Sequence, residues 1–163
     1  MARAQAGDAA AFDRLYRQYR DRVYTLCLQV CGDREEAGDA MQEAFVNAWK
    51  GLPKFAGRSS FLTWIYRIAI NTCRAQARKP ARPVELAVET SGKDYALIEA
   101  VRAALVKLKP DYRIILALRY SQELSYTEIA EALGWSVPKV RITLYRAKKD
   151  FKAAYTLLEK INI

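Results

Sequence analysis

Apolar residues in this chain recur at three- and four-residue intervals, and nowhere do they alternate with polar ones over a strand's length. Phe12, Leu15, Tyr16, Tyr19, Val23, Leu26, Cys27 and Val30 give the clearest run, which predicts one amphipathic helix. Gly32 ends it. Asp33 is placed to cap a second helix reaching about Lys50, with Glu35 and Glu36 favourable in its first turn. Gly51 and Pro53 stop that helix, and Lys54 to Arg58 reads as a loop. Ser59 or Ser60 then caps a third long helix through about Arg78. The expected fold class is all-α, without an internal repeat.

Pro80, Pro83 and Gly92 bracket a stretch with no sustained period, which reads as a linker over residues 80–95 between small domains at 1–79 and 96–163. Helical spacing resumes from Leu97 to Leu108 and from Tyr112 to Tyr120, followed by two short helices and a basic tail. A chain of 163 residues buries one sizeable core or two small ones. Its net charge of +9 divides into +5, −1 and +5 over those three segments. That division points to two anion-binding surfaces rather than one basic tail. A bilayer is the competing anion, but no apolar run approaches the roughly 20 residues needed to span one. No signal peptide opens the chain, so a cytosolic location is expected. There is no histidine, and Cys27, Cys31 and Cys73 form no CxxC pair, which leaves no zinc site and removes the commonest general base. Cys27 and Cys31, one turn apart, read as packed hydrophobes. No cofactor or catalytic residue is expected.

Between Glu43 and Glu85 there is no acidic residue, yet there are eight basic ones: Lys50, Lys54, Arg58, Arg67, Arg74, Arg78, Lys79 and Arg82. Phe45, Trp49, Phe55, Phe61, Trp64 and Tyr66 are interleaved with them. Cations with flat rings suit a polyanion carrying stacked bases. Taken alone, the stretch reads equally well as a helical core with a solvated face. On its third helix, Arg67, Asn71, Arg74 and Arg78 share a narrow arc, opposite Phe61, Leu62, Ile65, Ile68, Ala69 and Thr72. The polar arc reads as a nucleic-acid face, with Asn71 able both to donate to and accept from a base edge. Trp64 stands at the border, with packing favoured over base stacking. The second helix has the opposite character: Glu35, Glu36, Asp39 and Glu43, with Gln42, Phe45, Val46 and Trp49. Asp39 and Glu43 are spaced to share a divalent cation, but a solvated or protein-binding face is the better reading without further ligands.

The most specific local signal is YTEIAEALGWSVPKVRITLY, Tyr126 to Tyr145. Ser125 and Glu128 form a capping box, Gly134 takes the turn, Ser136 caps the next helix and Pro138 falls in its first turn. This is the layout of a helix-turn-helix. Val137, Val140, Leu144, Ala147 and Phe151 make the buried stripe of its second helix. The opposite face presents Ile142, Tyr145, Arg146, Lys149 and Lys152, with Lys139 and Arg141 on the flanks. Six basic groups and one acid between Ser136 and Lys152 favour a major-groove helix. Arg141 and Arg146 are expected at base edges or phosphates, Ile142 at a thymine methyl, and Lys148, Lys149 and Lys152 along the backbone.

DAMQEAFVNAWKGLPKF, GRSSFLTWIYRIAINT and YTEIAEALGW with VRITLYRAKK, together with the opening ARAQAGDAAAFDRLY, resemble the extracytoplasmic-function (group IV) sigma factors of bacterial RNA polymerase. The resemblance runs in order over nearly the whole chain and implies a non-catalytic initiation subunit. Asp39 to Leu52 would dock on the clamp helices of core polymerase through Asp39, Gln42, Glu43, Phe45 and Trp49. Lys54, Phe55, Arg58 and Ser60 would lie in the loop that captures an unstacked base of the promoter's −10 element, and Arg67, Asn71, Arg74 and Arg78 would bind that element. Ser136, Lys139, Arg141, Ile142, Tyr145, Arg146 and Lys149 would read the −35 element. An anti-sigma protein is the further partner implied, with recruitment to the inner membrane as a consequence. Pro138 and Lys139 replace the family's usual Gly-Thr, and Arg141, Ile142 and Thr143 its usual Lys-Ser-Arg, so an unusual −35 sequence is expected.

Two rivals make different demands. A one-component regulator would bind duplex DNA alone and use its first helices to sense a ligand or to dimerise. A nuclease using Glu35, Asp39 and Glu43 would require a metal ion.

Overall fold

The computed structural model describes residues 1–76 and 93–161, and it contains no strand among them. A short helix α1 (Ala2–Gln5) precedes α2 (Ala9–Cys31), α3 (Arg34–Gly51) and α4 (Phe61–Gln76). The second domain holds α5 (Lys93–Val106), α6 (Pro110–Leu116), a π-helical turn (Ala117–Ser121), α7 (Tyr126–Leu133) and α8 (Val137–Ile161).

Local chemistry sets these ends. The Asp8 carboxylate accepts the Ala11 N–H at 2.9 Å and starts α2 earlier than its apolar spacing indicates. Gly32 ends it in the left-handed region at φ 81°. Asp33 accepts the Glu36 N–H at 2.9 Å to open α3. Of the two serines considered for α4, Ser60 is the cap, accepting the Thr63 N–H at 3.0 Å.

Helices α2, α3 and α4 pack pairwise into the first domain. Ala37, Ala40, Ala44 and Ala48 are all fully buried on one side of α3, and their small size lets the neighbouring helices approach closely. Val23, Leu26 and Cys27 from α2 and Ile65, Ala69 and Ile70 from α4 complete that core. In the second domain α5, α6 and α7 all rest on α8.

Two expectations need correction. The C-terminal segment is not a short helix with a tail: α8 runs unbroken for 25 residues, past the expected stripe ending at Phe151, whose ring stacks 6.0 Å from that of Tyr155 one turn further on. Helix α5 begins at Lys93, inside the stretch read as linker, and the remainder of that stretch lies outside the described residues.

Candidate nucleic-acid interface

The pair α7–α8 forms as its residues indicate. Ser125 Oγ accepts the Glu128 N–H at 3.2 Å, and the Glu128 carboxylate accepts the Ser125 N–H at 2.8 Å. Bonds from the Ser125 hydroxyl and then its N–H hold the Glu128 carboxyl below the usual carboxylate range. Gly134 turns the chain at φ 66°, a conformation that costs glycine little. Ser136 Oγ, expected as a DNA contact, accepts the Lys139 N–H at 3.4 Å and so helps to open α8.

Val140, Leu144 and Ala147 are buried, while Ile142, Tyr145, Arg146, Lys149 and Lys152 are exposed on the outer side of α8. Tyr145 is 71% accessible, unusual for so large a ring. Lys139 sits 4.1 Å from the Trp135 ring centre, and Arg141 lies 5.9 Å from that of Tyr126. Lys148 departs from expectation. It faces the other way, 5.4 Å from the Tyr120 ring centre, and a bond with the Tyr120 hydroxyl raises its pKa.

Lys54, Phe55, Arg58, Trp64 and Arg67 of the first domain, together with Glu131 of α7, surround a cavity of about 380 Å³ at the start of α4. Phe55 and Trp64 lie 4.7 Å apart as tilted rings, and Trp64 also packs against Gly51, where an added Cβ would come within 3.3 Å. The Phe55 carbonyl accepts a bond from Gln5 of α1 at 2.8 Å. Ser59, within the loop expected to capture a base, joins the same wall, as does Thr63, of which local spacing gave no sign. Ser60 is spent on the cap. Asn71 is exposed one turn beyond Arg67. Arg78 lies outside the described residues.

The acidic helix α3 leaves Asp39, Gln42 and Glu43 exposed, and Glu43 accepts a bond from Gln76 at 3.1 Å. Phe45, expected among the polymerase contacts, is only 4% accessible; its ring is wedged against Phe12 and Tyr16. It supports the surface from beneath. Val46 is the exposed apolar residue there, at 51%, beside half-buried Trp49 on an apolar depression of about 350 Å³. Among the described residues, no three carboxylates or thiols are grouped to hold a metal ion. Cys27 and Cys73 are buried and Cys31 partly so, all as free thiols. Hydrogen bonding to Cys73, then burial, pushes Cys31 up, and hydrogen bonding to Cys27 pushes Cys73 up, which keeps both protonated.

The two domains meet along a seam that the sequence did not announce. The Tyr66 hydroxyl of α4 donates to the Gln122 side chain just past the π-helical turn, and both residues are buried. Burial raises the Tyr66 pKa to about 12. Arg22 of α2 donates to the Gln122 carbonyl at 3.2 Å. Arg67 donates through Nε, at 3.0 Å, and through Nη2 to the Glu131 carbonyl near the end of α7. Arg74 pairs with Asp111 at 2.6 Å. Two members of the cationic stripe on α4 are therefore held by the second domain.

These features define an all-helical, two-domain nucleic-acid-binding class with a helix-turn-helix in its second domain. Comparison with known proteins identifies the family. Residues 15–82 match Sigma-70 region 2, and residues 98–151 match Sigma-70, region 4. The chain is 36% identical to the RNA polymerase sigma-H factor of Pseudomonas aeruginosa, covering 97% of this chain and 93% of that one. It is 36% identical to the RNA polymerase sigma factor YlaC of Bacillus subtilis, covering 90% and 92%, and 32% identical to the ECF RNA polymerase sigma-E factor of Escherichia coli, covering 90% and 87%. Among solved structures, CnrH in complex with the cytosolic domain of CnrY superposes with a TM-score of 0.75 at 26% identity, covering 98% and 94%. The sigma factor RpoE of Bartonella quintana, in complex with the anti-sigma factor NepR, shares the fold, with a TM-score of 0.76 at 17% identity over 90% and 97%. The chain belongs to the extracytoplasmic-function sigma factors of RNA polymerase. Among the described residues, no helix is long and apolar enough to cross a membrane.

Proposed function

We propose that this sigma factor binds core RNA polymerase and uses two readers, residues 1–79 for the −10 element and 96–163 for the −35 element, to start transcription. The observation that carries the reading is α8, whose outer side exposes Ile142, Tyr145, Arg146 and Lys149 above a buried Val140–Leu144–Ala147 stripe. Arg146 and Lys149 contact phosphates and base edges, and Ile142 meets a thymine methyl. The cavity beside Phe55 and Trp64 takes a base from the opened −10 element, with Lys54, Arg58 and Arg67 drawing in its phosphates. Asn71 reads an edge of that element. Asp39, Gln42, Glu43 and Val46, with Trp49 beside them, form the polymerase contact, and Phe45 holds their helix in place.

Reading both elements requires the seam to open. Their centres lie roughly 25 base pairs apart, about 85 Å at 3.4 Å per step. A compact chain of this length has a radius of gyration of only about 15 Å. The solved relatives bound by the CnrY cytosolic domain and by NepR support an anti-sigma protein as a regulatory partner, which would draw this chain to a membrane if anchored there.

The test is a gel shift on promoter duplex with and without core polymerase, followed by run-off transcription. Retardation and transcripts that need both proteins support the reading. Equally tight duplex binding by the chain alone, with no transcript, supports a one-component regulator instead.

A further inference from the structure

The closed seam leaves a cleft of about 580 Å³ on one side, and the cations that line it come from both domains. Arg74 enters from α4, Lys109 from the residue before α6, and Lys139 and Arg146 from α8. Asp111 is the single carboxylate in the lining, and Arg74 engages it at 2.6 Å. Lys109, Lys139 and Arg146 have no ion-pair partner among the described residues. Lys109 lies 5.8 Å from the Tyr112 ring centre and Lys139 lies 4.1 Å from that of Trp135, so the ammonium groups are held near flat rings at the cleft wall.

Four cations around one carboxylate repel one another, and closure is what gathers them, since Arg74 belongs to the other domain. A ligand that relieves this repulsion must be small enough for the cleft and carry several negative charges. A single carboxylate neutralises too little, and a DNA duplex is too wide to enter. A chain of two or three phosphates meets both conditions, and guanidinium and ammonium groups suit its oxygens.

We propose that this cleft binds a compact polyphosphate and that the bound anion stabilises the closed arrangement of the two domains. Because Arg74 completes the site only when the domains are together, ligand binding and closure are linked, and each favours the other. Lys139 and Arg146 then serve either the polyphosphate or the promoter. This last consequence rests on the sigma-factor reading above; the binding itself does not.

The test uses the full chain without polymerase or promoter, so its failure and the failure of that reading remain distinguishable. Inorganic triphosphate and ATP are each titrated by calorimetry at physiological ionic strength, and the distance between dyes on α3 and α8 is followed by energy transfer. One ligand per chain is expected, with energy transfer rising on binding. Lys109→Gln, outside the proposed DNA surfaces, is expected to weaken binding at least tenfold. Lys50→Gln, remote on α3, is expected to leave it unchanged. Equal affinity for the two probes assigns a free polyphosphate, and tighter ATP binding assigns a nucleotide. Equal losses in both variants, several weak sites per chain, or binding that leaves energy transfer unchanged would overturn the proposal.

Discussion

The two cationic helices differ in what their polar sides touch. On α8, Tyr145, Arg146 and Lys149 face solvent above a buried stripe. On α4, Arg67 and Arg74 are already bonded to the second domain, and the neighbouring Tyr66 is sealed beneath with Gln122. The first surface is ready for a ligand, whereas the second must exchange internal partners for external ones. A promoter engaging α4 therefore works against the seam. One engaging α8 does not.

A pair of tyrosines breaks the comparison most sharply. Tyr66→Ala should destabilise the chain by about 3–5 kcal/mol, because it empties a fully buried site and strands the Gln122 amide. Tyr145→Ala should stay within about 0.5 kcal/mol, since its ring is exposed. Urea denaturation of both variants checks the contrast, and similar losses would deny that the two surfaces differ. Next in size, Arg146→Ala should weaken binding to a −35 duplex by about 10- to 100-fold while leaving core assembly intact. Equal loss of both activities would indicate misfolding rather than a lost contact.

Tyr66→Phe isolates the hydroxyl and should cost about 1–3 kcal/mol through the unpaired Gln122 oxygen. The same hydroxyl sets a pH limit. Its folded-state pKa of about 12 lies above the ordinary 10.0, so the unfolded chain ionises first. Its contribution is complete below about pH 10 and is lost as pH rises towards 12. Stability curves of the parent and Tyr66→Phe should converge across that interval. Curves that stay parallel would place the ionisation elsewhere.

The smallest effect concerns the bend after the π-helical turn. Glu123 is the one non-glycine with positive φ among the described residues, at 58°. Glu123→Gly should stabilise by up to about 1 kcal/mol by relieving left-handed strain, as measured by thermal melting. A lower melting temperature would show that its side chain contributes more than its backbone costs.

Much of the architecture was legible because its causes are local. Asp33, Ser60, Ser125 and Gly134 act on residues within one turn, and the stripe Val140–Leu144–Ala147 repeats at helical spacing. Phe45 shows where that legibility stops. Its place beside acidic and polar neighbours looked like a contact surface, yet whether a ring points outward depends on Phe12 and Tyr16 in another helix. Lys148 was misplaced similarly, since only packing against Tyr120 shows which side of α8 it takes. Val46, not among the expected polymerase contacts, is left in solvent on α3, at 51%.

From its residues alone this chain specified helices, their caps, the helix-turn-helix and the family those motifs resemble, because each rests on contacts a few positions apart. Tertiary structure alone decided that the two domains close on one another. The bonds that close them join residues 56 and 64 positions apart, Tyr66 to Gln122 and Arg67 to Glu131, and no local periodicity encodes such pairs.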